Sequence, residues 1–326
     1  MAGRLSSLRR FAAAHKRLIV VLQLVVFAVF AGSVGWALRG SFRAAGHDLR
    51  DANPVLFTLA CVALAAYYLV FVLGWIRILA DWDIHLSYPA ALRAEMVSML
   101  AKYVPGDVWT PAARVVAARR AGVTDAALVT ASMLLEAGIS AVAGVIVFVV
   151  SLAWVDGVEA PIAPLVVFAV VVAVLLQPPV FRPLVSHILR RLGYAALPPL
   201  RRTTMFVLLV FYSGTWVIGG TALWLLLRSV GSHPDIESVV FLGGVAAVGA
   251  IVAVLSVFAP SGLGPREATM YGLMLAIASQ GAALGATVLN RVAITLVEVL
   301  LLVVGGLLLR SRDDSGEPAR LRDAEA

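Results

Sequence analysis

The sequence predicts an all-α fold, a polytopic integral membrane bundle of about eight transmembrane helices that includes re-entrant or broken helical segments. Of the 326 residues, 61% are hydrophobic and only 14% are charged, and the mean hydropathy is +0.95. An ordinary soluble domain carries about a quarter charged residues, which cover its wet surface. Apolar runs recur from residue 18 to residue 309 with short polar gaps, so one membrane domain fills nearly the whole chain. This pattern excludes a soluble enzyme.

Eight runs are long enough to cross a bilayer, whose core of about 30 Å needs roughly 20 apolar residues in a helix. They are 18–38, 54–76, 126–152, 161–180, 205–227, 238–258, 269–286 and 290–309. The first is predicted to be an uncleaved span, because it is too long for the apolar part of a signal peptide. Gln280, Gly281 and Gly285 interrupt the seventh run, so a re-entrant segment is the alternative there.

Lys and Arg residues predict the orientation of these spans. They concentrate in the N-terminal arm, in 77–120, in the 181–204 loop and after Arg310, whereas the 153–160 loop has none. Cytoplasmic loops of membrane proteins are enriched in these residues, so both termini are predicted to be cytoplasmic. The three arginines of the 39–53 loop run against this assignment. The predicted organisation is a basic cytoplasmic arm (1–17), a transmembrane domain (18–310) and a disordered cytoplasmic tail (311–326).

Charge and cysteine content restrict the classes of partner. The net charge is +7, but the cations lie at helix ends without interleaved aromatic residues, which favours anionic membrane lipids over nucleic acid. Cys61 is the single cysteine, and the five histidines are scattered through loops without an HExxH pattern. We therefore expect no catalytic residues, no metal site and no cofactor.

A helix break is predicted in the stretch from Ser87 to Gly122. Its centre reads Lys102-Tyr103-Val104-Pro105-Gly106-Asp107-Val108-Trp109. Pro105 and Gly106 stop the preceding helix, and Asp107 is placed to cap a following helix, whose free amides would face the turn. Such a hairpin can dip into a membrane only where protein or a wet cavity covers the freed backbone groups. A re-entrant hairpin is the preferred interpretation.

A second break is predicted after the sixth run, where the sequence reads Ala259-Pro260-Ser261-Gly262-Leu263-Gly264-Pro265-Arg266-Glu267. Glu267 would lie in the first turn of the next helix, where a negative charge is favourable, and Arg266 offers a planar fork for a phosphate or carboxylate. A tight turn with a solvated charge pair is the alternative. Each break follows two spans, and broken segments at matching positions are typical of a transporter's binding site.

Two carboxylates lie within apolar runs, where ionisable residues are costly and indicate function. Glu136 is about ten residues into the third run, and Glu298 is midway through the last. The alternative is a structural role, in which each holds an arginine such as Arg266 or Arg114 inside the bundle. Lys102 and Arg114 could instead extend to the membrane interface.

These residues resemble the transmembrane region of lysylphosphatidylglycerol synthases, a flippase-like family, over roughly residues 15–310. The family patterns are K-[YF]-x-P-G-x-x-W and P-G-G-L-G-x-R-E, and this chain carries both in order, together with Arg114 and Glu136. Ser261 stands where glycine is usual, and Asp107 occupies a variable place. The aminoacyl-transferase domain of full-length synthases is absent from this sequence, so aminoacyl transfer is not assigned to it.

The resemblance implies a flippase-like protein of the bacterial plasma membrane that moves an anionic or modified lipid, a phospholipid or a polyprenyl-phosphate-linked one, between leaflets. Envelope-biosynthesis proteins are expected partners. The predicted lipid-binding residues are Lys102, Pro105, Gly106, Trp109, Arg114, Glu136, Gly262, Gly264, Arg266 and Glu267. The alternatives are a membrane-embedded transferase acting on a lipid phosphate and a non-transporting scaffold subunit of an envelope complex.

Overall fold

The computed structural model describes residues 51–101, 109–155, 157–158, 162–191, 197–256 and 264–313, and these ranges form helices and connecting turns. The helices are α1 (Pro54–Asp81), α2 (Tyr88–Ala101), α3 (Trp109–Arg120), α4 (Ala126–Ser151), α5 (Ile162–Leu176), α6 (Pro178–Arg191), α7 (Arg202–Ser229), α8 (Ser238–Leu255), α9 (Pro265–Met274) and α10 (Gln280–Asp313). The all-α class is confirmed. The predicted arm, the first run and most of the predicted tail lie outside the described residues.

Five helices in the described ranges are long and apolar enough to cross a membrane, namely α1, α4, α7, α8 and α10. They correspond to the predicted runs 54–76, 126–152, 205–227, 238–258 and 290–309. Asn53 caps α1 and Asp125 caps α4, each accepting hydrogen bonds from two backbone amides of the first turn. Helices α5 and α6 make a sixth span if the bent pair counts as one. These residues thus account for five or six of the predicted eight spans.

The predicted fourth span, 161–180, is not one straight helix. Helix α5 ends at Leu176, and α6 continues from Pro178 at an angle of 72°. Pro178 and Pro179 supply no amide hydrogens, and a proline disfavours helical torsions in the residue before it, here Gln177. The predicted 181–204 loop is also wrong in its first half, because α6 extends to Arg191.

The predicted seventh span, 269–286, is wrong as a continuous helix. Helix α9 has only ten residues, which reach about 15 Å, and a turn follows from Leu275 to Ser279. The hydroxyl of Ser279 accepts a hydrogen bond from Ala282 N–H at 3.3 Å, so Ser279 caps the long last helix α10. The apolar run is therefore divided between two helices, and Gln280 and Gly281 begin the second.

Helices α1 and α7 form the centre of the bundle and run antiparallel. Asn53 N–H donates to the Ser229 carbonyl at 2.8 Å at one end. At the other end, the Asp81 carboxylate accepts from Arg201 N–H and from the Thr204 hydroxyl, each at 2.8 Å. These contacts define the two ends of the bundle, called here the Asn53 end and the Asp81 end.

Both predicted breaks separate helices that reach the middle of the bundle. The hairpin α2–α3 enters from the Asp81 end, since Leu86 and Ala118 pack with Leu79 there, while Met96 packs with Tyr68 near the middle of α1. Helix α9 occupies the other half of the bundle's depth. Its Met270 contacts the middle of α8, and its C-terminal residues pack toward the Asn53 end. These separate helices fit the prediction of broken helical segments, and the residues of the two breaks, 102–108 and 257–263, lie outside the described ranges.

Helices α7 and α8 approach closely through glycines, as small residues allow in membrane bundles. A Cβ at Gly220 would meet the backbone of α8 at Val239 and Gly243. We expect Gly220→Ala to separate these helices and to lower the midpoint of SDS-induced unfolding of the purified protein in mixed micelles. Gly214→Ala is the matched control on the same helix, because a Cβ there meets nothing within 4 Å. Equal midpoints for the two variants would contradict this packing.

Candidate functional site

A buried ionic triad of Glu95, Arg114 and Glu136 joins three helices near the middle of the bundle. The Arg114 guanidinium bonds to the Glu95 carboxylate on α2 through Nη2, and through Nη1 to Glu136 Oε2 on α4 at 2.5 Å. All three side chains are only about 5% exposed. Arg114 lies on α3 and Glu95 on α2, so these two helices together present both charges to α4.

Polar and aromatic neighbours surround the triad. Arg114 Nε donates to the Ser98 hydroxyl at 3.4 Å, and its guanidinium carbon lies 5.0 Å from the centre of the Trp75 ring. The Trp75 indole N–H donates to Ser132 Oγ at 2.8 Å. The Tyr212 hydroxyl donates to Glu136 Oε1 at 3.3 Å. The guanidinium and the Glu136 carboxylate thus have partners on α1, α2 and α7, which fixes their orientation.

A second buried carboxylate lies on α10. Glu298 is 2% exposed and accepts a hydrogen bond from the Tyr68 hydroxyl at 2.6 Å. The ring of the neighbouring Tyr67 lies 5.4 Å from that of Tyr68, and the Tyr67 hydroxyl interacts electrostatically with Glu95, Glu136 and Arg266. These polar groups of α1, α2, α3, α4, α7 and α10 are called here the polar region.

The N-terminus of α9 brings a cation to the same region. Gly264 has a φ of 96°, a left-handed conformation that glycine adopts without strain, and its N–H donates to Glu267 Oε2 at 2.7 Å. The other Glu267 oxygen accepts from Arg291 of α10 at 3.4 Å. Arg266 is half-buried and acts electrostatically on Tyr67 and Tyr68, and no carboxylate of the described ranges forms a salt bridge with it.

An apolar cavity of about 420 Å³ lies beside this polar region, between α1, α4, α5, α7 and α8. Tyr67 lines it, as do Ala137 and Gly138, the two residues that follow Glu136. Val254 on α8 also lines the cavity and is 78% exposed, so the cavity opens to the outer surface of the bundle. A lipid chain could therefore enter from the membrane and reach the polar interior.

The structure separates the predicted site residues into three groups. Arg114 and Glu136 belong to the triad, which agrees with the structural alternative for Glu136. Gly264, Arg266 and Glu267 form the start of α9. Trp109 is 47% exposed at the start of α3. The remaining predicted residues, Lys102, Pro105, Gly106 and Gly262, lie outside the described residues.

Sequence reasoning missed the residues that complete this region, namely Glu95, Trp75, Tyr67, Tyr68 and Tyr212. Glu95 lies in the segment 77–120, whose Lys and Arg residues predict a cytoplasmic location. Nothing in that pattern indicates that the Glu95 carboxylate is buried. The tyrosines lie within long apolar runs, and a buried tyrosine hydroxyl needs a hydrogen-bond partner. Tyrosines in these runs are therefore the sequence signal that could have indicated polar partners in the interior.

A helical bundle with helix breaks at mid-depth, buried charges at the breaks and a laterally open apolar cavity defines a multi-pass membrane protein with an internal polar site. Residues 20–302 match the family model of the lysylphosphatidylglycerol synthase TM region. The chain belongs to this family, which confirms the resemblance noted from its motifs. A search of curated proteins finds no match. As a membrane domain of this family, the protein associates with membrane lipids.

Proposed function

We propose that this protein moves a lipid with an anionic phosphate headgroup between the leaflets of a membrane. The observation that carries the proposal is the position of Arg266. Its cationic side chain is half-buried at the start of α9, acts electrostatically on Tyr67 and Tyr68, and forms no salt bridge with a described carboxylate. A cation at mid-depth is costly unless an anion pairs with it, and a phosphate is the anion that membrane lipids supply.

The start of α9 supports phosphate binding at Arg266. The first amides of a helix have no intrahelical carbonyl partners, and the helix dipole favours negative charge there. Glu267 already satisfies Gly264 N–H and pairs with Arg291, so this carboxylate holds the helix end in place. Arg266, one residue earlier in the chain, is therefore available to bind the lipid phosphate.

The apolar cavity supplies the second half of the proposed path. Tyr67 lines this cavity, and its hydroxyl also interacts electrostatically with Arg266. A headgroup at Arg266 and a hydrocarbon chain in the cavity would therefore belong to one lipid that remains partly in the surrounding bilayer. Arg114 is neutralised by Glu95 and Glu136, which favours a framework role for it over direct phosphate binding.

The proposed setting is the bacterial plasma membrane with both termini in the cytoplasm and no enzymatic step. Arginines support this orientation, because Arg119 and Arg120 at the end of α3 and Arg201 and Arg202 at the start of α7 lie at the Asp81 end. The opposite end carries Arg228. By the distribution of Lys and Arg in membrane proteins, the Asp81 end would face the cytoplasm.

Leaflet exchange of fluorescent phosphatidylglycerol in proteoliposomes tests the proposal. We expect the wild-type protein to accelerate exchange. The rate with Arg266→Ala should be at least tenfold lower, because the headgroup loses its charged partner. Arg120→Ala is the matched control, since Arg120 is exposed at the end of α3 and distant from the cavity. Wild-type exchange in a folded Arg266→Ala variant would remove Arg266 from the site, and no exchange of phosphatidylglycerol or of a polyprenyl phosphate would overturn the function.

A further inference from the structure

The triad holds an excess of negative charge in the interior. Two carboxylates, Glu95 and Glu136, share the single guanidinium of Arg114, and all three side chains are almost fully buried. An ionised carboxylate without its own counter-ion is unfavourable in such surroundings. One of the two carboxylates therefore needs a further positive charge, and a proton is the smallest one available.

The groups that face the triad from neighbouring helices do not remove this excess. Helix α1 contributes Trp75 and Tyr67, α2 contributes Ser98, α4 contributes Ser132 and α7 contributes Tyr212, all of them neutral groups. Arg266 of α9 and Glu298 of α10 act on the adjacent Tyr67 and Tyr68, and neither supplies a counter-charge in contact with Glu95 or Glu136. Within the described part of the chain, the interior charge of the triad remains negative by one unit.

Glu136 is the carboxylate best placed to exchange a proton. Its Oε2 pairs with Arg114, whereas its Oε1 accepts only a weak hydrogen bond of 3.3 Å from the Tyr212 hydroxyl, which leaves that oxygen able to take a proton. Ala137 and Gly138, which follow Glu136, line the apolar cavity, so Glu136 lies at the edge of the proposed lipid path. A proton bound at Glu136 would come from water on one side and return to water on the other, with no other bond made or broken.

We propose that Glu136 binds one proton in each transport cycle and that lipid movement is coupled to this proton. The proposal rests on the proposed lipid translocation. The Tyr67 hydroxyl interacts electrostatically with both Glu136 and Arg266. A phosphate arriving at Arg266 brings negative charge toward Glu136 and so favours proton binding there. By linkage, a bound proton equally favours lipid binding, and the two move in the same direction.

The test uses proteoliposomes with a trace of fluorescent phosphatidylglycerol and a pH-sensitive dye inside. One proton per singly charged headgroup makes the cycle electroneutral, so a gradient of one pH unit should drive about a tenfold accumulation of label in the leaflet toward which protons flow. A potassium diffusion potential should have no effect. Glu136→Gln should lose the accumulation driven by the pH gradient, whereas Glu237→Gln, at an exposed carboxylate, should behave as wild type.

The outcomes separate the two proposals. Rapid exchange without a pH response or a dye signal in the wild type would overturn the coupling and leave translocation standing. Accumulation driven by a sodium gradient would replace the proton by another cation and overturn the assignment. Absence of exchange under every gradient would overturn the translocation itself. If Glu136→Gln does not fold, the accumulation of label and the dye signal of the wild-type protein under a pH gradient still decide whether lipid movement is coupled to a proton.

Discussion

Replacement of Arg114 by methionine is expected to destabilise the folded protein by about 3–5 kcal/mol, the cost of leaving buried carboxylates without their partner. Methionine matches the length of the arginine side chain, so the change removes charge more than volume. Glu95 and Glu136 would remain in the interior with only neutral donors nearby. The cost should fall as the pH is lowered, because protonation of Glu136 removes one of the two unpaired charges. SDS-induced unfolding of the purified protein in mixed micelles measures the free energy.

Two further variants decide whether the loss comes from unpaired charge. Arg120→Met removes an exposed arginine from the same helix and should change stability by less than about 0.5 kcal/mol. The triple variant Arg114→Met, Glu95→Gln, Glu136→Gln should recover most of the loss, because neutral groups replace a buried ionic cluster at little cost. A triple variant as unstable as Arg114→Met would show that Arg114 acts through packing.

The long helices could be predicted from the sequence because the thickness of the bilayer sets the length of a span. A span therefore appears in the sequence as a continuous run of apolar residues. The runs that became α1, α4, α7 and α8 match the observed helices within a few residues at most ends. Apolar composition does not reveal where a helix bends or stops inside the membrane. The run 269–286 is predominantly apolar, but its first part belongs to α9, which ends at Met274, and its last part to α10, which begins at Gln280. That division depends on packing against α8 and on the Ser279 cap.

The site was predictable only in part, for a related physical reason. The motif glycines and prolines mark backbone breaks, and Glu136 is conspicuous because a carboxylate is rare in an apolar helix. The sequence leaves Arg114 and Arg266 as alternative partners of Glu136, and in the structure Glu136 forms its salt bridge with Arg114. Glu95 and Tyr212 were missed, because their importance arises from contacts between residues 19 and 76 positions apart along the chain. Such pairings depend on tertiary packing and cannot be read from local spacing.

Filling the apolar cavity is expected to stop translocation of long-chain lipids without unfolding the protein. Ala137 lines the cavity and its side chain is exposed, so Ala137→Phe places a ring in the opening and displaces no core residue. We expect at least a tenfold slower exchange of phosphatidylglycerol with two long acyl chains. A short-chain analogue should be affected less, because a cavity of about 420 Å³ narrowed by one ring still admits a few methylene groups.

Val150→Phe is the matched control for this variant, since Val150 lies on the same helix, is 50% exposed and does not line the cavity. It adds a ring to the lipid-facing surface and should leave both exchange rates unchanged. The ratio of long-chain to short-chain exchange then reports on the cavity alone, because a general loss of protein lowers both rates together. Equal slowing of the two lipids by Ala137→Phe would place the hydrocarbon chain outside the cavity. An unchanged rate for both would mean that the lipid takes another path along the bundle, and the position of Arg266 would then have to be explained without a tail in contact with Tyr67.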